Sequence, residues 1–334
     1  MKQHFLKTEI SIALVKETFS TELSRQLSLA RISSPIAILD GTGINDDLNG
    51  IERPVVFPLK DMQERKAVIV HSLAKWKRIR LKQIGMDIGE GILTDMRAIR
   101  PDEEFTSMHS VYVDQWDWEQ RIKSEDRSLI KLKQTVTQIY SALKKTEQVV
   151  HFNYPEIIPS LPDKITFIHS QELLSMFPGL NPKQREHRVA KEYGAVFIIG
   201  IGKNLSNGEP HDGRAPDYDD WSSPNSDSYF GLNGDIIVWN PTLKCAFELS
   251  SMGIRVDPEA LERQLKIRNF TTKSLLPFHE MLLAGELPEC IGGGIGQSRL
   301  CMFMLGKSHI GEVQVGIWPE ETIKKYSETG ITLM

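Results

Sequence analysis

The sequence predicts a mixed α+β fold, a mainly antiparallel sheet flanked by helices, and three observations predict it. A long amphipathic helix opens the chain. Short runs rich in β-branched or aromatic residues recur from Lys66 to His71, Ile165 to His169, Gly194 to Ile199, Asp235 to Trp239 and Cys245 to Leu249. These runs do not alternate with helices of crossover length, which disfavours a doubly wound parallel sheet.

In the first helix the apolar residues Ile12, Val15, Phe19, Leu23 and Leu27 step by three or four positions and so share one face. The chain then reads Leu29 to Ile36, where Pro35 blocks a helix and points to an edge strand. A long helix feeding a proline-bearing strand fits a dimer interface, and an ordinary core helix followed by a loop fits the pattern equally. Gly200 to Gly234 is the least regular stretch and carries Asn-Gly, Asp-Gly and Ser-Ser-Pro turn signals; a loop of this length points to a functional segment such as a lid.

Composition narrows the classes of function. The 334 residues carry 40 Lys+Arg against 44 Asp+Glu, a net charge of -4, without the basic excess of a dedicated nucleic-acid binder. With no Pro/Gly/Ser-rich linker, residues 1–334 read as a single domain. The start has no apolar signal core, and the longest apolar run, Ala195 to Ile199, is far too short to span a bilayer, so a cytoplasmic protein without a membrane partner is expected. Cys245, Cys290 and Cys301 are odd in number and lack CxxC spacing, which argues for reduced thiols rather than disulfides or a zinc site.

Two distant segments look suited to phosphate. One runs from Ala98-Ile99-Arg100-Pro101-Asp102-Glu103 to His109-Ser110-Val111-Tyr112-Val113-Asp114-Gln115-Trp116-Asp117-Trp118-Glu119; the other is Gly292-Gly293-Gly294-Ile295-Gly296-Gln297-Ser298-Arg299. Each sets an arginine, whose fork matches phosphate oxygens, beside backbone that a polyphosphate can approach, a pairing that points to adenylation. Simpler motifs fail. Gly306-Lys307-Ser308 lacks the P-loop glycine at Cys301, the glycines from Gly292 do not complete GxGxxG because Arg299 holds the last position, and Asp217 to Ser222 lacks the central glycine of an EF-hand.

The segment from Gly234 to Ser251 reads as a hairpin. A turn centred between Pro241 and Thr242 sets Asp235 directly opposite Glu248. Two facing carboxylates repel, and a divalent cation shared with nucleotide phosphates relieves the repulsion; a solvated pair at a strand edge is the alternative. Just beyond lies Arg255, suited to a substrate carboxylate, with a surface arginine as the bland alternative.

These segments, with His71 to Arg78, Arg214 to Trp221 and Phe247 to Arg255, closely resemble the ammonia-dependent asparagine synthetases, the aspartate–ammonia ligases, over nearly the whole chain. The resemblance implies a class II aminoacyl-tRNA synthetase-like catalytic core in a homodimer. It implies activation of the aspartate β-carboxylate by ATP, giving β-aspartyl adenylate and pyrophosphate, then attack by ammonia to give asparagine and AMP. Arg100 would hold the α-phosphate and Arg299 the outer phosphates or the adenine, with Ser110, Val111, Arg214, Glu248 and Gly294 also at the nucleotide. Asp235 and Glu248 would hold Mg2+. Lys77 and Arg255 would bind the α-carboxylate of L-aspartate; Asp117, Asp219 and Ser251 would surround its α-ammonium. Gln115 would orient the reacting carboxyl, Ser72 would also contact substrate, and Asp46 would sit where ammonia enters. Here the loop reads Asp46-Asp47, where an asparagine is expected second, so Asp47 is a further candidate.

No cysteine precedes Cys245, so the N-terminal nucleophile of a glutaminase is missing and free ammonia is the expected donor, a separate glutaminase subunit remaining open. An aspartyl-tRNA synthetase-like relative would need an anticodon-binding barrel upstream, where the sequence leaves no room. A regulatory module that had lost its chemistry would have lost its phosphate arginines or metal carboxylates, yet Arg100, Asp235, Glu248 and Arg299 are present.

Overall fold

A computed structural model describes residues 2–46, 52–270 and 275–334. Helix α1, Lys2–Leu27, places Ile12, Val15, Phe19, Leu23 and Leu27 on one stripe, each no more than 7% exposed. The stripe packs within its own chain, Phe19 tilting against Trp116 with ring centroids 4.9 Å apart. The core-helix alternative therefore holds for these five residues, and none of them is left to face a second copy. Strand β1, Leu29–Arg31, follows as an edge strand but ends before Pro35.

The chain continues through β2, Ala37–Leu39, β3, Val56–Leu59, and β4, Arg65–Ile69, which form a separate three-stranded sheet in the order β2-β4-β3. The strand expected from Lys66 to His71 is thus present but stands outside the main sheet. Helix α2, Ala74–Ile84, leads to the long hairpin of β5, Gly91–Ile99, and β6, Tyr112–Arg121. Helix α3, Leu129–Asn153, starts where the Ser128 side chain accepts from the Lys131 N–H, and packs along α1.

Next come β7, Thr166–His169, α4, Ser170–Met176, α5, Pro182–Tyr193, and β8, Ala195–Ile199. After the irregular stretch to 232 stand β9, Asn233–Asn240, and β10, Cys245–Ile254. Helices α6, Pro258–Ile267, and α7, Pro277–Leu283, precede β11, Cys290–Gly296, which runs straight into α8, Gln297–Met304; α9 is Glu320–Glu328.

The main sheet has the order β1-β5-β6-β11-β10-β9-β8-β7. Its outermost pairs, β1 with β5 and β7 with β8, are parallel, and every pair between them is antiparallel. Side chains alternate across it. Trp116, Trp118, Ile236, Val238, Phe247 and Leu249 face the large core that α1, α3 and α8 close. Gln115, Asp117 and Glu119 lie opposite Gly296, Gly294 and Gly292 on the other face, so the glycines leave a trough there.

Candidate active site

The β9–β10 hairpin corrects the expected register. Cys245 pairs with Asn240 and Glu248 with Ile237; then an irregularity at Leu249 shifts the ladder, and Asp235 faces Ser251 rather than Glu248. Two local causes explain the difference. The turn centres one residue later, with Asn240 Oδ1 accepting from the N–H groups of Thr242 and Leu243 at 3.0 Å and Lys244 in left-handed backbone at φ 54°. The bulge then adds a residue, which brings Glu248 and Ser251 to the same face as Asp235 although they are three apart. Asp235 and Glu248 are therefore diagonal neighbours on one face. Burial raises the Asp235 carboxyl to about 6; Arg214 opposes that rise and Glu248 adds to it.

On this face opens a cavity of about 610 Å3, lined by Arg100, Arg214 and Arg299 together with Ser110, Gln115, Glu248, Ser251 and Gly294. Each arginine comes from a different segment of the chain. Arg100 leaves the end of β5, its N–H donating to Val111 O at 2.8 Å and its Nη2 to His71 O at 3.0 Å. Val111 thus contributes backbone that sets Arg100 and does not itself line the cavity. Arg299 stands in the first turn of α8 and donates to Glu248 O at 3.3 Å. Arg214 donates to Ser251 Oγ at 3.0 Å and pairs with Asp235. The buried Nε atoms of Arg100 and Arg214 have no hydrogen-bond partner among the described residues. Ser110 donates to Tyr112 O at 2.9 Å, and burial, reinforced by Arg299, depresses the His109 ring to about 4 and keeps it neutral at pH 7.

Beside the cavity the trough holds a buried ionic network. Lys77 donates to Asp117 Oδ1 at 3.1 Å and to Gly293 O at 2.8 Å, while the other Asp117 oxygen accepts from the Leu73 N–H at 3.3 Å. Arg255 forks onto Glu119 with two bonds of 2.8 Å and bonds Asp219 with its remaining arm. Only 2% of Arg255 is exposed, which rules out the surface-arginine alternative. Burial pushes the Glu119 carboxyl up, yet Arg255 and Lys77 hold it below the usual range; for Asp219 burial wins over Arg255 and its carboxyl is raised.

The glycines permit this crowding. A Cβ on Gly292 would lie 1.9 Å from Glu119 Oε2 and 2.6 Å from Arg255 Nη2, and one on Gly294 would lie 2.7 Å from Gln115 Oε1. Gly294 therefore borders both the cavity and the ionic trough.

Asp46 is 3% exposed, and one of its carboxylate oxygens accepts from Ser72 Oγ at 2.9 Å. Burial first, and Asp46 next, raise the neighbouring Tyr218 phenol well above its usual value. Asp47 lies outside the described residues. The middle of the Gly200 to Gly234 stretch is core rather than flap: Asp217, Asp219, Asp220 and Trp221 are all buried, with Arg127 paired to Asp220 at 2.7 Å. The acidic run from Asp217 to Asp220 is therefore not solvated. Glu119 carried no role in the sequence reading, although its place two residues beyond Asp117 on an alternating strand marks it for the same face.

Among the described residues no three His, Cys, Asp or Glu side chains converge as a metal site. Asp235 and Glu248 supply two hard oxygen donors beside the arginine-lined cavity. Such a set suits a magnesium ion that takes its other ligands from phosphate and water.

The sheet with its flanking helices is the catalytic fold of class II aminoacyl-tRNA synthetases. The asparaginyl-tRNA synthetase of Pyrococcus horikoshii, complexed with asparaginyl-adenylate, superposes with a TM-score of 0.70 at 15% identity, covering 94% of this chain and 70% of that one. A putative aspartyl-tRNA synthetase from Leishmania major Friedlin gives 0.64 at 16% identity, covering 92% of this chain and 64% of the other. Within that class the sequence is specific: the aspartate–ammonia ligase family matches residues 6–330, and the chain belongs to this family of enzymes. It is 55% identical to the aspartate–ammonia ligase of Parabacteroides distasonis over 98% of this chain and 95% of that protein. With the aspartate–ammonia ligase of Levilactobacillus brevis it shares 51% identity over the same proportions.

Proposed function

We propose that this chain is an ATP-dependent ligase that makes L-asparagine from L-aspartate and ammonia through β-aspartyl adenylate, releasing AMP and pyrophosphate. One observation carries the reading: a cavity edged by three arginines adjoins a buried pocket of paired charges, and Gln115 and Gly294 border both. A carboxylate resists amidation until one of its oxygens becomes a good leaving group, and a polyphosphate site beside an amino-acid site allows that conversion.

In the first step the aspartate β-carboxylate attacks the α-phosphorus and pyrophosphate leaves. Arg100 offsets charge on the α-phosphate, Arg299 and Arg214 hold the nucleotide, and Ser110 and Val111 shape its site. A magnesium ion at Asp235 and Glu248 would supply further charge neutralisation at the phosphates. Lys77 and Arg255 receive the α-carboxylate, Asp117, Asp219 and Ser251 the α-ammonium, and Gln115 orients the β-carboxyl with Ser72 nearby. In the second step ammonia adds to the activated acyl carbon, the bond to the AMP oxygen breaks, and a proton passes to Asp46. An anionic Asp46 also draws ammonium, the dominant form at neutral pH, toward the site. We take residues 1–334 as one catalytic unit acting in a cytoplasmic homodimer.

The test is a product assay with magnesium-ATP and aspartate, with ammonium, glutamine or neither. Asparagine formed in equal amount with AMP and pyrophosphate, under ammonium alone, is the expected outcome. Pyrophosphate exchange without asparagine would point to another acceptor, and ADP as product would exclude the adenylate. Asp46→Ala is expected to keep most aspartate-dependent ATP–pyrophosphate exchange while losing ammonia use; parallel loss of both would remove that role from Asp46.

A further inference from the structure

His71 lies between the two halves of the site and is 1% exposed. Its N–H donates to Asn45 Oδ1 at 2.9 Å, its carbonyl accepts from Arg100 Nη2 at 3.0 Å, and its ring Nδ1 lies 3.2 Å from the main-chain carbonyl of Asp46. A carbonyl only accepts, so Nδ1 carries a proton and donates it, leaving Nε2 as the ring's other polar atom. That Nε2 is buried with no hydrogen-bond partner among the described residues. Among the described residues the ring therefore makes a single hydrogen bond, and that bond goes to the backbone of the residue read as the ammonia-side acceptor.

The geometry points to His71 as a positioning residue for the amidation step: its ring sets the Asp46 main chain while its own main chain is fixed to Arg100. The inference rests on the role proposed above for Asp46. The following residue completes the clamp, because Ser72 Oγ holds the Asp46 carboxylate at 2.9 Å. Side chain and main chain of Asp46 are thus both referenced to His71-Ser72, at the entrance to α2. The ring holds the loop and the carbonyl meets the arginine, so changing the side chain separates the two functions. A buried histidine that merely fills space would need neither Nδ1 toward a carbonyl nor a neighbour bonded to the same aspartate.

The experiment uses two variants that differ in where they offer an amide. Asparagine places its side-chain N–H near the position of Nδ1, whereas the longer glutamine places it near Nε2. His71→Asn is expected to retain ammonia use within about twofold of the wild type, while His71→Gln lowers kcat/KM for ammonia about tenfold, the cost of one lost neutral hydrogen bond. Both variants should keep aspartate-dependent ATP–pyrophosphate exchange, which also reports that they are folded. Equal defects in the two variants, or exchange falling in parallel with ammonia use, would overturn the proposal. Asp46→Ala is measured beside them. If it spares ammonia use, the reading of Asp46 fails; if it abolishes ammonia use while His71→Gln does not impair it, only the role of His71 fails.

Discussion

Among single residues, Asp217 shows how much charge this site buries. Lys75 bonds its Oδ2 at 2.7 Å and His279 bonds the same oxygen at 2.9 Å. Burial pushes the carboxyl up, but these partners hold it at about 2, below its usual 3.8. A depressed folded-state pKa stabilises the native state above the unfolded value and loses that contribution as pH falls. Wild type is thus expected to exceed Asp217→Asn in unfolding free energy by about 2 kcal/mol at pH 6, a gap that closes between pH 4 and pH 2. Urea titrations across that range measure it, and a gap that persists at pH 2 would refute the charge origin. Gly292 makes a second case. Alanine there puts a methyl within 1.9 Å of Glu119 Oε2, so Gly292→Ala should cost about 1–3 kcal/mol and raise the KM for aspartate, read by thermal melting and initial rates.

At the scale of elements, what the sequence shows depends on whether a pattern is carried by side chains. Helix α1 was legible because its apolar stripe has helical spacing, and the stripe is buried as that spacing requires. Phe19→Ala should therefore lower stability by about 3–5 kcal/mol, measured by chemical denaturation, since it opens a cavity against Trp116. Strand β11 was not legible as a strand, because Gly292, Gly293 and Gly294 have no strand propensity; the pairing with β6 and β10 imposes extended backbone on them. Strand β6 holds a readable alternation, tryptophans at 116 and 118 between Gln115, Asp117 and Glu119, and its polar members double as the site's side chains. The β9–β10 register depends on left-handed backbone at Lys244 and a bulge at Leu249, neither of which a hydrophobic pattern encodes. Asp235 and Glu248 nevertheless reach the same face, because Glu248 pairs with Ile237, two residues from Asp235 on an alternating strand.

For the whole molecule, the site draws on segments spread from Asp46 to Arg299, and the sequence could name most of them without placing them. The words around Arg100, Asp219, Arg255 and Arg299 were readable because few residue types suit phosphate, carboxylate or ammonium recognition. The bonds that join them run across sequence gaps such as 136 residues between Glu119 and Arg255, and only the folded sheet supplies these. Self-association is expected from the family resemblance and not from the buried stripe of α1. Sedimentation at micromolar concentration is expected to give a dimer, and an active monomer would contradict that expectation.

The glycine trough carries a further consequence, for how the enzyme can change over generations. Strand β11 presents hydrogen atoms alone toward the substrate side at positions 292 and 294, so it has no chemistry there to vary and can only be obstructed. The groups proposed to recognise the substrate stand on its neighbours, β6 with Gln115 and Asp117, and β10 with Ser251, followed by Arg255. Altered substrate preference would have to be inherited through those flanking strands and the segment around Asp219, over a floor of glycine. Drift in the floor itself would abolish turnover before it could redirect it.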